Sequence, residues 1–379
     1  MHYLDHNATS PLRLEALAAV ERALAVGGNP SSVHAQGRAA RAMVEDAREQ
    51  VAALAGADSA DLIFTSGGTE ANALALCGAV TGAADAGVRL TRLFVSAIEH
   101  DSILANAASL AERAAGLRVE IIPVTQDGVI DVETLRVQLR EGKGRALIAA
   151  MAANNETGVI QPIAEISHVA KEFGALLLVD AIQAAGKIAL DYPDADYLTL
   201  SAHKIGGPQG AGALIAKASA PLATQIFGGG QERGHRAGTE NLSGIAGFGG
   251  AANAARNLNT TKIAALRDRF ESQLPPGAIV FGANAPRLCN TSNFALPGIA
   301  AETAIMALDL DGVMASSGAA CSSGKVKSSH VLKAMGVRDE LASCALRISF
   351  GWNSTTEDSD AAIASLSKLR SRVRARAAA

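Results

Sequence analysis

This sequence predicts an α/β fold with a mostly parallel central sheet covered by helices on both faces, and three observations predict it. Short apolar runs alternate with longer amphipathic ones from Asp61 to Ala216. Those apolar runs end in clusters of Gly, Ser, Asn, Asp and Glu, the punctuation expected where a strand passes into a loop or helix. The chain, with 379 residues, 49% hydrophobic side chains and 37 glycines, is long enough to bury a large core and globular in composition, alanine replacing aromatics.

The elements follow in order. After Pro11, Leu12 to Val26 has helical spacing and ends at Gly27-Gly28, a C-cap signal. Residues Asn29 to His34 form a turn, and Gly37 to Leu54 is a second helix with Glu45, Asp46, Arg48 and Glu49 on its polar side. Strands are expected at Leu62 to Thr65, Leu93 to Ala97, Val119 to Val124, Ala146 to Met151, Leu176 to Val179, Tyr197 to Leu200 and Gly212 to Ala216. Helices are expected at Glu70 to Val80, Ser102 to Ala115, Val132 to Leu139 and Ile163 to Phe173. The expected division is a large domain of residues 13–259 and a small domain of residues 1–12 and 260–379, α+β in its C-terminal part. No internal repeat or low-complexity linker interrupts the chain.

A formal net charge of −3 offers no global attraction for nucleic acid or an anionic membrane. The start, Met1 to Asn7, carries acid and imidazole where a signal peptide has a basic region and apolar core, and no uncharged apolar run is long enough to span a bilayer. The expectation is a soluble cytoplasmic protein. The 4 cysteines, Cys77, Cys289, Cys321 and Cys344, lie far apart without a Cys-x-x-Cys pair, which argues against a structural zinc and a disulfide framework.

Ligands of open α/β sheets bind beyond the carboxyl ends of the strands. The residues there are Ser66-Gly67-Gly68-Thr69-Glu70, Glu99-His100, Asn154 to Gly158, Asp180 to Gln183 and Ser201-Ala202-His203-Lys204. Lys204 stands where an apolar strand opens into a glycine-rich turn, a place for an amine nucleophile whose ammonium burial disfavours. The plainer alternative is a lysine that caps the strand and pairs with a carboxylate, Asp180 being the partner. Ser66 to Thr69 reads as a strand-to-helix turn with Thr69 as N-cap, and such a turn either cradles a phosphate or merely caps its helix. No P-loop or dinucleotide fingerprint is present. Phosphate cup, strand-end carboxylate, flat-faced His100 and strand-end lysine together suit pyridoxal 5′-phosphate, whose enzymes place an Asp on the ring nitrogen and a Lys on the aldehyde.

The motifs Ser-Ala-His-Lys204, Asp180-Ala-Ile-Gln, Ser66-Gly-Gly-Thr-Glu-Ala-Asn, Ala153-Asn-Asn-Glu-Thr-Gly and Gly228-Gly-Gly-Gln-Glu-Arg-Gly-His-Arg-Ala-Gly-Thr-Glu-Asn241 resemble the cysteine desulfurases of the class V aminotransferase superfamily. The likeness runs in one order from Tyr3-Leu-Asp5 to Arg347. It implies the pyridoxal phosphate-dependent transferase fold of type I. It also implies that Lys204 carries the cofactor, Asp180 meets its ring nitrogen, His100 stacks on its ring and Gln183 meets its phenolic oxygen. Gly68, Thr69, Ser201 and His203 would then hold the phosphate. Thr239 matches the threonine that reaches the phosphate of a second subunit, which implies a homodimer. Asn155 and Arg347 match the positions that bind the substrate carboxylate. Arginine suits that task by its planar fork, although a strand-edge charge in water is the plainer account of Arg347.

A second nucleophile decides the reaction. Ala315-Ser-Ser-Gly-Ala-Ala-Cys321-Ser-Ser-Gly-Lys325-Val-Lys327 sets one cysteine among small residues with lysines behind it, a setting that favours thiolate and access, whereas Cys77 reads as helix core. The segment resembles the long active-site loop of the nitrogenase-associated and housekeeping desulfurases, from which Lys325-Val-Lys327 departs. The implied reaction converts L-cysteine to L-alanine and a persulfide on Cys321, with Lys204 as base and His100 moving protons near the thiol. The implied acceptor is an iron–sulfur scaffold or a sulfur-relay protein, and Cys321 would be the residue to touch a nascent cluster metal. Selenocysteine lyase, a plain class V aminotransferase and a catalytically silent partner subunit are the rival readings. The run Lys368 to Arg376 reads as a solvated helix end, with docking of an acidic partner or RNA as the alternative.

Overall fold

The computed structural model describes residues 1–317 and 329–378. Its central sheet comes from the runs expected to form it. After a short strand β1 (His2–Tyr3), these are β2 (Leu62–Thr65), β3 (Leu90–Ser96), β4 (Arg118–Ile122), β5 (Arg145–Met151), β6 (Leu176–Asp180), β7 (Tyr197–Ser201) and β8 (Gly212–Ala216). They form one seven-stranded sheet in the order β2-β8-β7-β6-β5-β3-β4. All neighbours are parallel except β8, which runs antiparallel to both β2 and β7.

The strands read as unbroken apolar runs because helices cover both faces. Successive side chains point to opposite faces, so Leu62, Phe64, Ile148, Val179 and Leu200 pack into one core with Phe248. Ile63, Leu93, Leu147, Leu178 and Leu214 enter the other with Leu74, Leu76 and Ile103. Helices Leu14–Val26 and Ala35–Ala55 match their expected bounds closely, and the first closes on Gly27 in the left-handed region at φ 56°.

A third core lies apart from these. It joins Leu4 to Ile263, Phe270, Phe294, Leu308, Leu346, Phe350 and Leu366. Phe270 meets Phe294 and Phe350 edge-on at 5.4 and 6.2 Å. Its sheet is β9 (Ile279–Val280), β10 (Thr291–Ala295) and β12 (Ala345–Ser349) in the order β12-β10-β9, all antiparallel, while β1 pairs in parallel with β11 (Val313–Met314). That pairing carries the N-terminal segment across to the third core. A smaller cluster of Ile98, Met151, Phe281, Val331, Leu332 and Ala345 joins this part to the central sheet. The C-terminal helix Thr356–Ala378 lies on the third core, and its Lys368 donates to Asp311 Oδ1 at 2.7 Å and Arg370 to the Pro297 carbonyl at 2.7 Å. Part of the basic run thus fastens the helix to its own chain. Among the described residues no helix is long and apolar enough to cross a membrane.

Candidate active site

The strand-end residues converge. Gly68 and Thr69 after β2, His100 after β3, Asn155 after β5, Asp180 and Gln183 at the end of β6, and Ser201, His203 and Lys204 at the end of β7 all line one cavity of about 860 Å³. Arg347 of β12 lines the same cavity, as do Asp5 and Asn7 of the N-terminal segment. Thr239 is not among the lining residues; it is exposed, in the loop that follows the turn Gln231–Gly234.

Lys204 does not pair with Asp180. Its Nζ donates to the carbonyls of Asn7 at 2.7 Å and Ala8 at 2.8 Å. Burial first, then the charges of Arg347 and Lys187, pull its ammonium down to about 8, against weaker support from Asp5 and Asp180. Lys204 is thus held by neutral carbonyls and not by a carboxylate, in a setting where burial disfavours its ammonium.

Asp180 is 5% exposed, and its carboxylate accepts from Asn72 Nδ2 at 2.8 Å and the Ile182 N–H at 3.0 Å. Burial raises its proton affinity, opposed by those hydrogen bonds and by His100 and Lys204. Asn72 is oriented in turn, since its Oδ1 accepts from Thr199 Oγ1 at 2.6 Å. The site therefore presents a fixed, desolvated carboxylate that a protonated ring nitrogen would stabilise.

The opposite end suits an anion. The helix Gly68–Asp85 starts from Gly67 with no side-chain cap, so Thr69 is not the N-cap expected of it but lies in the first turn. Its free N–H groups are left for a ligand. Ser201 Oγ is buried with no hydrogen-bond partner among the described residues. At Gly68 a Cβ would come within 2.3 Å of Ile182 Cδ1, so a side chain there would have to displace the end of Ile182. His203 Nδ1 lies 3.2 Å from Thr9 Oγ1, and burial with the neighbouring Lys204 lowers its imidazolium to about 4. An orphaned hydroxyl and an uncapped helix start fit the phosphate of pyridoxal 5′-phosphate, and the same cavity holds a lysine and a buried carboxylate.

Between these ends, His100 caps the helix Asp101–Arg113 by accepting the Ser102 N–H on Nδ1 at 3.1 Å. That leaves the ring proton on Nε2. Gln183 Nε2 donates to the Asn7 carbonyl at 2.9 Å. Arg347, 4% exposed, is no strand-edge charge in water: Nη2 donates to Asp5 Oδ1 at 2.7 Å, Nη1 to the Asn155 carbonyl at 3.0 Å, and Nε is buried without a partner among the described residues. Asn7 links the parts, since its carbonyl accepts from both Lys204 and Gln183 and its Nδ2 donates to Thr291 Oγ1 at 2.9 Å. Sequence reasoning passed over Asn7 and Asp5 as site residues, although Tyr3-Leu-Asp5 was the first motif of the resemblance. It passed over Glu156 too, a buried carboxylate that accepts from Ser329 Oγ at 2.5 Å and whose proton affinity burial raises.

Of the cysteines, Cys77 and Cys289 are half-buried with thiols that burial pushes up, and Cys344 is buried with Sγ 3.4 Å from the Glu340 carbonyl. None of the three lines the cavity. Cys321, the expected nucleophile, and Lys325 and Lys327 behind it lie outside the described residues. The residues on either side of that segment, Ser317 and Ser329, both line the cavity. Among the described residues no group of His, Cys, Asp and Glu is arranged to hold a metal ion.

The aminotransferase class-V family profile matches residues 2–361. A cysteine desulfurase of Cereibacter sphaeroides is 43% identical over 363 residues, 94% of this chain and 92% of its own. An IscS-like cysteine desulfurase of Mycobacterium tuberculosis is 39% identical, over 96% of this chain and 94% of its own. The X-ray structure of a NifS-like protein from Rickettsia africae superposes with a TM-score of 0.87 at 34% identity, covering 98% of this chain and 99% of that one.

Proposed function

The chain belongs to the aminotransferase class-V family and is a cysteine desulfurase, and from that premise we propose that the cavity holds pyridoxal 5′-phosphate on Lys204 and passes the sulfur of L-cysteine to Cys321. The observation that carries the residue assignment is the placement of Lys204, a lysine pulled down to about 8, in one cavity with buried Asp180 and the orphaned Ser201 hydroxyl. When bound, the cofactor supplies an electron sink for the substrate's α-carbon.

Each remaining task falls to a residue of the chain. Gly68, Thr69, Ser201 and His203 hold the phosphate, Asp180 the ring nitrogen, and Gln183 the phenolic oxygen, while the His100 imidazole stacks on the ring face. Arg347 and Asn155 orient the substrate carboxylate. Burial disfavours the Lys204 ammonium, which suits a base that takes the α-proton. The Cys321 thiolate attacks the substrate sulfur: an S–S bond forms, the Cβ–S bond breaks, and Cβ gains a proton to become the methyl group of alanine. His100, which lines the cavity with its ring proton on Nε2, is assigned the proton transfer near the thiol. The persulfide then passes to an acceptor, an iron–sulfur scaffold or sulfur-relay protein, supplying sulfur for iron–sulfur cluster assembly; there Cys321 would meet a nascent cluster metal.

Exposed Thr239 supports a homodimer in which it reaches the partner's phosphate. The separate cores support the division into residues 13–259 and 1–12 with 260–379. Absence of a membrane-crossing helix among the described residues accords with a cytoplasmic enzyme.

The test measures alanine and sulfide released from L-cysteine with a thiol reductant present. Equal yields are expected from the parent, none from Lys204→Ala, and from Cys321→Ser an intact cofactor spectrum that responds to cysteine without sulfur release. Turnover by Lys204→Ala, or persulfide formation by Cys321→Ser, overturns the assignment, and turnover of L-selenocysteine with none of L-cysteine would make the enzyme a selenocysteine lyase.

A further inference from the structure

Lys187 lies outside the cavity yet its side chain turns inward behind it. Its Nζ donates to the Gln183 carbonyl at 2.9 Å and to Gln183 Oε1 at 3.3 Å. Among the described residues no carboxylate lies within ion-pair distance of it. Lys187 and Lys204 line the same small hollow, about 20 Å³, together with His6. A half-buried ammonium without an anion is costly, and an apolar side chain would fill this place at lower cost. The contact with Gln183 gives it a task.

The Gln183 amide has only one orientation available. An ammonium can only donate and a carbonyl can only accept, so Oε1 must face Lys187 and Nε2 the Asn7 carbonyl. Nε2 carries two hydrogens, one of which goes to Asn7, and Gln183 lines the cavity. We propose that Lys187 is a positioning residue for the cofactor: by holding Gln183 Oε1 it keeps the amide turned with its remaining N–H toward the ring oxygen of pyridoxal 5′-phosphate. This rests on the cofactor reading above.

The groups facing Lys187 do not replace it. His6 is neutral, lowered to about 3 chiefly by burial; the Cys289 thiol is raised by burial; and Arg347 and Lys204 are cations that oppose its charge. Burial brings Lys187 itself to about 8. Its direct charge effect on Lys204 ranks below burial and Arg347, so Gln183 is the route by which it acts.

The experiment follows the absorbance of the bound cofactor against pH for the parent, Lys187→Met, Lys187→Gln, Gln183→Leu and the Lys187→Met/Gln183→Leu double variant. Weakening the hydrogen bond to the ring oxygen makes that oxygen more basic. The midpoint is expected at higher pH in Lys187→Met, by about tenfold in proton affinity. In Lys187→Gln, where a neutral donor remains, the shift is smaller, and in the Gln183→Leu background Lys187→Met adds less than twofold. An unchanged midpoint in Lys187→Met, or full additivity in the double variant, overturns the proposal. If Lys187→Met fails to fold, Lys187→Leu decides, a midpoint equal to the parent's overturning it. Failure of the cofactor reading is distinct: the parent itself then shows no bound-cofactor absorbance.

Discussion

Replacing Arg347 by lysine keeps a positive charge in the cavity and removes the fork. In the structure the guanidinium is held by Asp5 Oδ1 at 2.7 Å and the Asn155 carbonyl at 3.0 Å, with its side chain 5% exposed. Such a group is oriented before substrate arrives, so a carboxylate gains its hydrogen bonds without ordering a loose side chain. A lysine ammonium carries its three donors on one nitrogen and cannot offer the two parallel N–H groups of the guanidinium fork. The substitution should cost one hydrogen bond to a charged group, about 1.5–3 kcal/mol. At tenfold per 1.4 kcal/mol this is roughly a 10- to 150-fold loss in kcat/KM. The carboxylate is bound alike in the ground state and the transition state, so most of the loss should fall on KM. Arg347→Ala should lose more, since it also strips Asp5 of its cation. Steady-state alanine release across L-cysteine concentrations measures this, with cofactor absorbance confirming a loaded site. A KM within twofold of the parent in both variants would refute carboxylate binding by Arg347.

Lys204 links activity to stability. Its folded value of about 8 lies below the ordinary 10.5, so between these pH values the unfolded chain holds more protons and the folded state gains stability as pH rises. Cofactor-free Lys204→Met should therefore melt above the parent at pH 7, with the gap closing by pH 10; a gap that widens with pH would contradict the lowered value. The loop before Thr239 depends on a buried pair, Arg48 Nη1 and Nη2 to Glu232 Oε2 and Oε1 at 2.8 and 3.0 Å, with the Phe64 N–H also donating to Glu232 at 2.9 Å. Glu232→Ala leaves the buried Arg48 guanidinium with only exposed Glu45 and the Leu62 carbonyl as partners and should cost about 3–5 kcal/mol in urea denaturation, and a loss below 1 kcal/mol would show that those two partners suffice.

Much of the fold was legible because both faces of the sheet are covered. A doubly covered strand must be apolar throughout, so β2 and β8 were bounded to the residue from their runs alone. Polar residues at strand ends named Lys204, Asp180, Gln183, Ser201 and His203, since the open-sheet rule says where such residues meet. The start of the helix Gly68–Asp85 was misread for the same reason that makes it a site: a first turn without a side-chain cap looks like an ordinary capped turn in sequence.

What the sequence by itself determined was the strand and helix pattern and which polar residues stand at the strand ends, because each depends on local periodicity or on residue type; the reaction was read from the resemblance of its motifs to a family. Tertiary structure alone decided the pairings. Asp5 with Arg347 and Asn7 with Lys204 join residues 342 and 197 positions apart. Lys187 behind Gln183 is close in sequence, but its inward turn depends on the packing around it. A hydrogen bond is satisfied by whatever donor or acceptor the fold brings within 3 Å. No local pattern in the chain encodes that distance.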